Sequence, residues 1–151
     1  MLTAVLSFGS GLLIGYLVQR KKFHDDLKLD KIRRLMPYVE VFHPIFESLV
    51  IDVRHGQKLI EKNDSTELTH YLDRILADFD SFGSWYADFA DKGLKPQMES
   101  LNYNLLSGLN GTNVYYQLVK THGTRYIFEN INEIALSLGK TERLLKEFLK
   151  G

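Results

Sequence analysis

Residues 32–60, IRRLMPYVEVFHPIFESLVIDVRHGQKLI, place Ile32, Leu35, Val39, Phe42, Phe46, Leu49, Val53 and Ile60 at steps that alternate three and four. Gly56 fills the one gap. An apolar residue at every third or fourth position lines one face of an α-helix, so this stretch reads as a long helix with a single buried seam. Pro37 and Pro44 interrupt it. Each proline removes a backbone donor and crowds the preceding turn, at about 3 kcal/mol in a helix interior. They lie seven residues apart, hence on one face, away from the seam. The pattern predicts one bent rod from about Asp25 to Lys62.

The same rhythm recurs downstream. Asn63-Asp64-Ser65 is a turn, with Asp64 as N-cap and Glu67 three residues later, as a capping box requires. Leu68, Leu72, Ile75, Phe79, Phe82, Tyr86 and Phe89 then seam a second helix, which Lys92-Gly93 ends. Pro96 opens a third, carrying Met98, Leu101, Leu105 and Leu109, with a break expected at Asn110-Gly111. Thr112 caps a shorter piece with Val114, Tyr115, Leu118 and Val119. After His122-Gly123, Thr124 caps a last helix with Phe128, Ile131, Ala135, Leu138, Leu145 and Phe148 on its seam and Gly139 inside it. Strand-like alternation is scarce. The expected fold class is all-α: an antiparallel bundle of about four helices with short loops.

Upstream of the rod the composition changes. The first nineteen residues, MLTAVLSFGSGLLIGYLVQ, hold no charged side chain, and Arg20, Lys21 and Lys22 follow at once. As a helix, Leu2–Val18 covers roughly 26 Å at about 1.5 Å per residue. The hydrocarbon core of a bilayer is about 30 Å thick, and the stems of the following cations can cover the shortfall. Cation before the apolar run and a small-x-small cleavage site after it, the marks of a cleaved signal, are both missing. The sequence therefore predicts a single transmembrane helix with a basic stop over residues 1–22, and a soluble helical bundle over residues 23–151. Arg20, Lys21 and Lys22 set the topology, with the N-terminus outside and the bundle in the cytoplasm. Ser7, Gly11 and Gly15 recur every four residues and would let a second membrane helix pack closely.

Charge and cysteine content exclude several classes. Beyond Lys22, sixteen Lys and Arg face nineteen Asp and Glu, so the basic footprint of a nucleic-acid binder is missing. There is no cysteine, hence no disulfide, thiol nucleophile or cysteine-ligated metal. No phosphate-binding glycine loop or nucleophile elbow occurs, and no small-molecule substrate or cofactor is implied.

Two Glu-x-x-His motifs, Glu40-Val41-Phe42-His43 and Glu67-Leu68-Thr69-His70, resemble the inward-facing ligand pairs of carboxylate-bridged metal bundles. A hairpin turning near Asn63–Asp64 sets His70 level with Gln57 and His43 level with Ser84. That register holds the motifs roughly 20 Å apart at about 1.5 Å per residue, which argues against a shared metal. The outer face of the second helix is acidic: Asp73, Asp78, Asp80, Asp88 and Asp91 stand against Arg74. Trp85 falls off its seam. Trp85 with Asp78, Asp80 and Asp88 is therefore the expected partner-binding surface.

These residues predict a non-enzymatic, membrane-anchored interaction or assembly protein, in contact with membrane lipid and with other membrane or membrane-proximal proteins. The alternatives are a small subunit of a larger respiratory, photosynthetic or virion membrane complex and, less favoured by the register, a carboxylate-bridged metal enzyme.

Overall fold

The computed structural model describes residues 2–150, with side chains described from Ile14 onward. These residues form five helices: α1 (Leu2–Glu61), α2 (Ser65–Asp91), α3 (Lys95–Leu101), α4 (Tyr103–His122) and α5 (Thr124–Lys150). No strand occurs among them, in agreement with the all-α helical bundle expected. The chain divides into two units, residues 1–34 and 35–151.

The first unit is helical. Its side chains from Ile14 to Asp30 are exposed, among them Ile14, Tyr16, Leu17, Val18, Phe23, Leu27 and Leu29. Among the described residues, no helix is long and apolar enough to cross a membrane. The expected span begins at Leu2, and its side chains through Leu13 lie outside that description.

The second unit holds the core. Leu35, Val39, Phe42, Phe46, Leu49 and Val53 are all buried, which is the seam anticipated for α1. The helix runs unbroken through Pro37 and Pro44, and both prolines are exposed. Their rings lie on the outer surface, where a missing backbone donor faces water rather than the core.

Asp64 caps α2, its carboxylate accepting from the Glu67 N–H at 3.4 Å. At the other end Gly93 adopts φ +70°, its N–H donates to the Ala90 carbonyl, and that of Leu94 donates to Phe89. The left-handed glycine lets the chain turn back so that Leu94 is buried against the bundle.

The register of the α1–α2 hairpin is fixed by side chains. Ser48 donates to Asp78 at 3.2 Å, and Arg74 meets Asp52 at 3.3 Å. This is the antiparallel register expected from a turn near Asn63–Asp64. Arg54 reaches Glu142 at 3.3 Å and Gln57 donates to Asn132 at 2.9 Å, so α5 runs antiparallel beside α1. Tyr86 donates to Asn110 at 2.6 Å and ties α2 to α4; Tyr115 donates to Glu133 at 3.1 Å and ties α4 to α5.

The third helix departs from expectation. It stops at Leu101, nine residues before the break read at Asn110, and α4 then runs straight through Asn110-Gly111. Asn102 supplies the reason for the stop. It leaves the helical region (φ −155°, ψ 83°), and its side chain accepts from the Leu105 N–H at 3.1 Å to start α4. A glycine in a helix interior costs about 1 kcal/mol, which the burial of Leu105, Leu106, Leu109 and Val119 offsets. In α5 the buried face is Ile127, Ile131, Ile134, Leu138, Thr141 and Leu145. Phe128, read as a seam residue, is exposed, because Ile127 takes the core position one residue earlier.

The α4–α5 crossing is close. A Cβ on Gly108 would run into the side chain of Thr141, which is buried. Gly83 plays the same part between α2 and α4, where the ring of Tyr116 lies on its backbone.

Candidate functional site

The expected partner surface on α2 splits in two. Trp85 is not an exposed anchor: it is only 7% exposed. Its ring stacks on Phe42 at 4.2 Å and on Phe89 at 4.9 Å, and its Nε1 donates to the backbone carbonyl of Tyr38 at 3.0 Å. The buried arc of α2 is broader than one seam, because Ile75, Phe79, Phe82 and Phe89 face inward together with Trp85 and Tyr86. Trp85 thus fills the gap toward α1. Asp78 also leaves the outer face; it is half-buried and turned toward α1. Asp80 and Asp88 are exposed, and Asp88 pairs with Lys92 at 3.5 Å.

Asp78 belongs instead to a polar cluster inside the α1–α2 seam. Asp52, between Leu49 and Val53, is 3% exposed. One of its oxygens, Oδ1, meets Arg74 Nη2 at 3.3 Å. The Ser48 hydroxyl donates to Asp78 Oδ1 at 3.2 Å. The second oxygen of each carboxyl, Asp52 Oδ2 and Asp78 Oδ2, is buried without a hydrogen-bond donor. Burial pushes the Asp78 carboxyl up to about 7; the neighbouring Asp52 carboxyl and its charge push the same way, against Ser48 and Arg74. Sequence reading missed Asp52 altogether. The available signal was an acid at the edge of an apolar seam, level with a carboxylate across the hairpin.

The two Glu-x-x-His motifs stay apart. His43 is half-exposed beside Glu47 on its own helix, at 3.8 Å, and His70 is exposed on α2. Among the described residues no three His, Asp or Glu side chains are grouped to hold a metal. A shallow groove of about 450 Å³ runs between α2 and α4, with Gly83, Ala87, Ala90, Tyr116 and Lys120 in its wall.

In the first unit Arg20, Lys21 and Lys22 are exposed, and a Cβ on Gly15 would meet nothing within 4 Å. Ser7 and Gly11, the other members of the small-residue repeat, lie outside the residues whose side chains are described.

No protein-family model matches the chain, and no curated protein or solved structure does so either.

Proposed function

We propose that the chain is a membrane-anchored helical interaction protein: residues 1–22 hold it in a bilayer, and the bundle docks proteins at that surface. The observation that carries this reading is the uncharged run up to Gln19 followed at once by Arg20, Lys21 and Lys22. The exposed apolar side chains of Ile14, Tyr16, Leu17 and Val18 support it, since lipid would cover a face that otherwise meets water. Tethering confines encounters to two dimensions and raises effective concentration, so weak contacts suffice. The exposed acids of α2, Asp80 and Asp88, suit a basic partner. Anionic lipid repels them, which holds that face toward the aqueous side.

The Ser7–Gly11–Gly15 repeat carries a second form of the same reading, in which a foreign membrane helix packs on that face and the chain is a small subunit of a larger membrane complex.

Alkaline carbonate extraction of cells expressing the full-length chain tests the anchor. The protein stays with the membrane pellet, and protease added to the cytoplasmic side digests the bundle. Recovery in the washed supernatant rejects the anchor; a bundle digested only from the opposite side rejects the orientation.

A further inference from the structure

The two donorless oxygens in the α1–α2 seam have one simple explanation. Ionised carboxylates only accept hydrogen bonds, so the close approach of Asp52 and Asp78 leaves one buried oxygen of each without a donor. A buried polar atom in that state costs about 1–3 kcal/mol in native proteins and is seldom tolerated. A proton between the two carboxyls satisfies both oxygens at once. We propose that Asp52 and Asp78 hold a single proton between them, and that this proton latches α1 to α2.

The neighbouring groups assign its place. The Arg74 guanidinium lies on Asp52 Oδ1 at 3.3 Å, so the proton sits on Asp78 and is donated to Asp52. From α1, Ser48 and Asp52 face the Asp78 carboxyl; from α2, Arg74 does. The groups that chiefly set its balance, Ser48, Asp52 and Arg74, all lie on α1 and α2. One turn further along, the His55 ring packs tilted against Tyr71 at 4.1 Å, and the Arg74 guanidinium lies 5.1 Å from the same tyrosine ring.

The linkage has a definite sign. The unfolded chain releases the Asp78 proton near 3.8 and the folded chain keeps it to about 7. Between those values the folded state binds more protons, so this site's contribution to stability is complete at low pH and is lost as pH rises toward 7. Above that, two negative carboxylates face each other in the seam and α1 and α2 are pushed apart. The latch closes on acidification and loosens on alkalinisation, opposite to the usual behaviour of a native carboxylate. It lies wholly within the bundle and does not rest on the membrane reading.

The full-length protein, in zwitterionic detergent, supplies the test. Carboxyl ¹³C resonances followed by NMR show a titration of the pair with a midpoint near 7. Thermal midpoints are then measured from pH 5 to pH 8 for the parent and for Asp78→Asn. The amide donates to Asp52 and accepts from Ser48, so it imitates the protonated acid at every pH. The advantage of Asp78→Asn over the parent widens across this range by about 5 °C. Asp52→Asn reports from the other side and shifts the Asp78 midpoint down. A pair that titrates only below pH 5, or an Asp78→Asn advantage that is the same at pH 5 and pH 8, overturns the proposal.

Discussion

The indole Nε1 of Trp85 donates to the backbone carbonyl of Tyr38 at 3.0 Å, joining α2 to the turn of α1 that lies between Pro37 and Pro44. The bond lies beside an aromatic cluster in the core, where Phe42 and Phe89 both stack on the same ring. Trp85→Phe keeps the stack and removes the donor, at a cost of about 1–2 kcal/mol. Trp85→Ala also empties the cavity and costs about 3–5 kcal/mol. Denaturant unfolding followed by circular dichroism separates the two. Equal losses show that the hydrogen bond, not the stack, dominates.

Glycine at the α4–α5 crossing is a steric requirement. Gly108→Ala drives a methyl group into Thr141, a buried branched side chain, and costs about 1–3 kcal/mol. Gly83→Ala meets the half-buried ring of Tyr116, which has room to swing outward, so its loss is smaller. Unfolding midpoints of the two variants rank Gly108→Ala as the more damaging.

Asn102 both stops α3 and starts α4. Asn102→Ala removes the acceptor for the Leu105 N–H and costs about 1 kcal/mol. Asp64→Ala, at an exposed cap whose bond is 3.4 Å long, costs less. A measured loss at position 64 equal to or above that at position 102 contradicts this ranking.

Arg74 draws the Asp78 carboxyl toward its ionised form. Arg74→Gln removes that pull, so the Asp78 midpoint moves further up from about 7. The pH range over which the seam weakens moves up with it. A carboxyl titration in this variant that moves down instead contradicts the assignment.

Much of the bundle was legible in the chain because its helices bury regular faces. The α1 seam from Leu35 to Val53, the Asp64 cap and the Gly93 stop follow from spacing and turn chemistry alone. The hairpin register followed too, because a short turn leaves little freedom. The misreadings share one cause: local signals were overruled by tertiary contacts. Asn110-Gly111 looks like a break, but Tyr86 engages Asn110 and the surrounding leucines are buried, so the helix persists. Trp85 looks off-seam only if α2 buries one narrow stripe; packing among several partners, it buries an arc. Asp52 and Asp78 were opaque for a different reason. Their meaning lies in which carboxyls meet across the hairpin and how little water reaches them, and neither is written in local sequence.

Arg54–Glu142 and Gln57–Asn132 also bear on how the protein comes to be made. Synthesis delivers α1 first among the five helices and α5 last, yet these two lie side by side in the finished bundle. On the ribosome the nascent rod must therefore wait, one flank bare, until the final helix emerges. Contacts so distant in the chain close slowly, and the bare flank is a target for chaperones or for wrong partners during that interval.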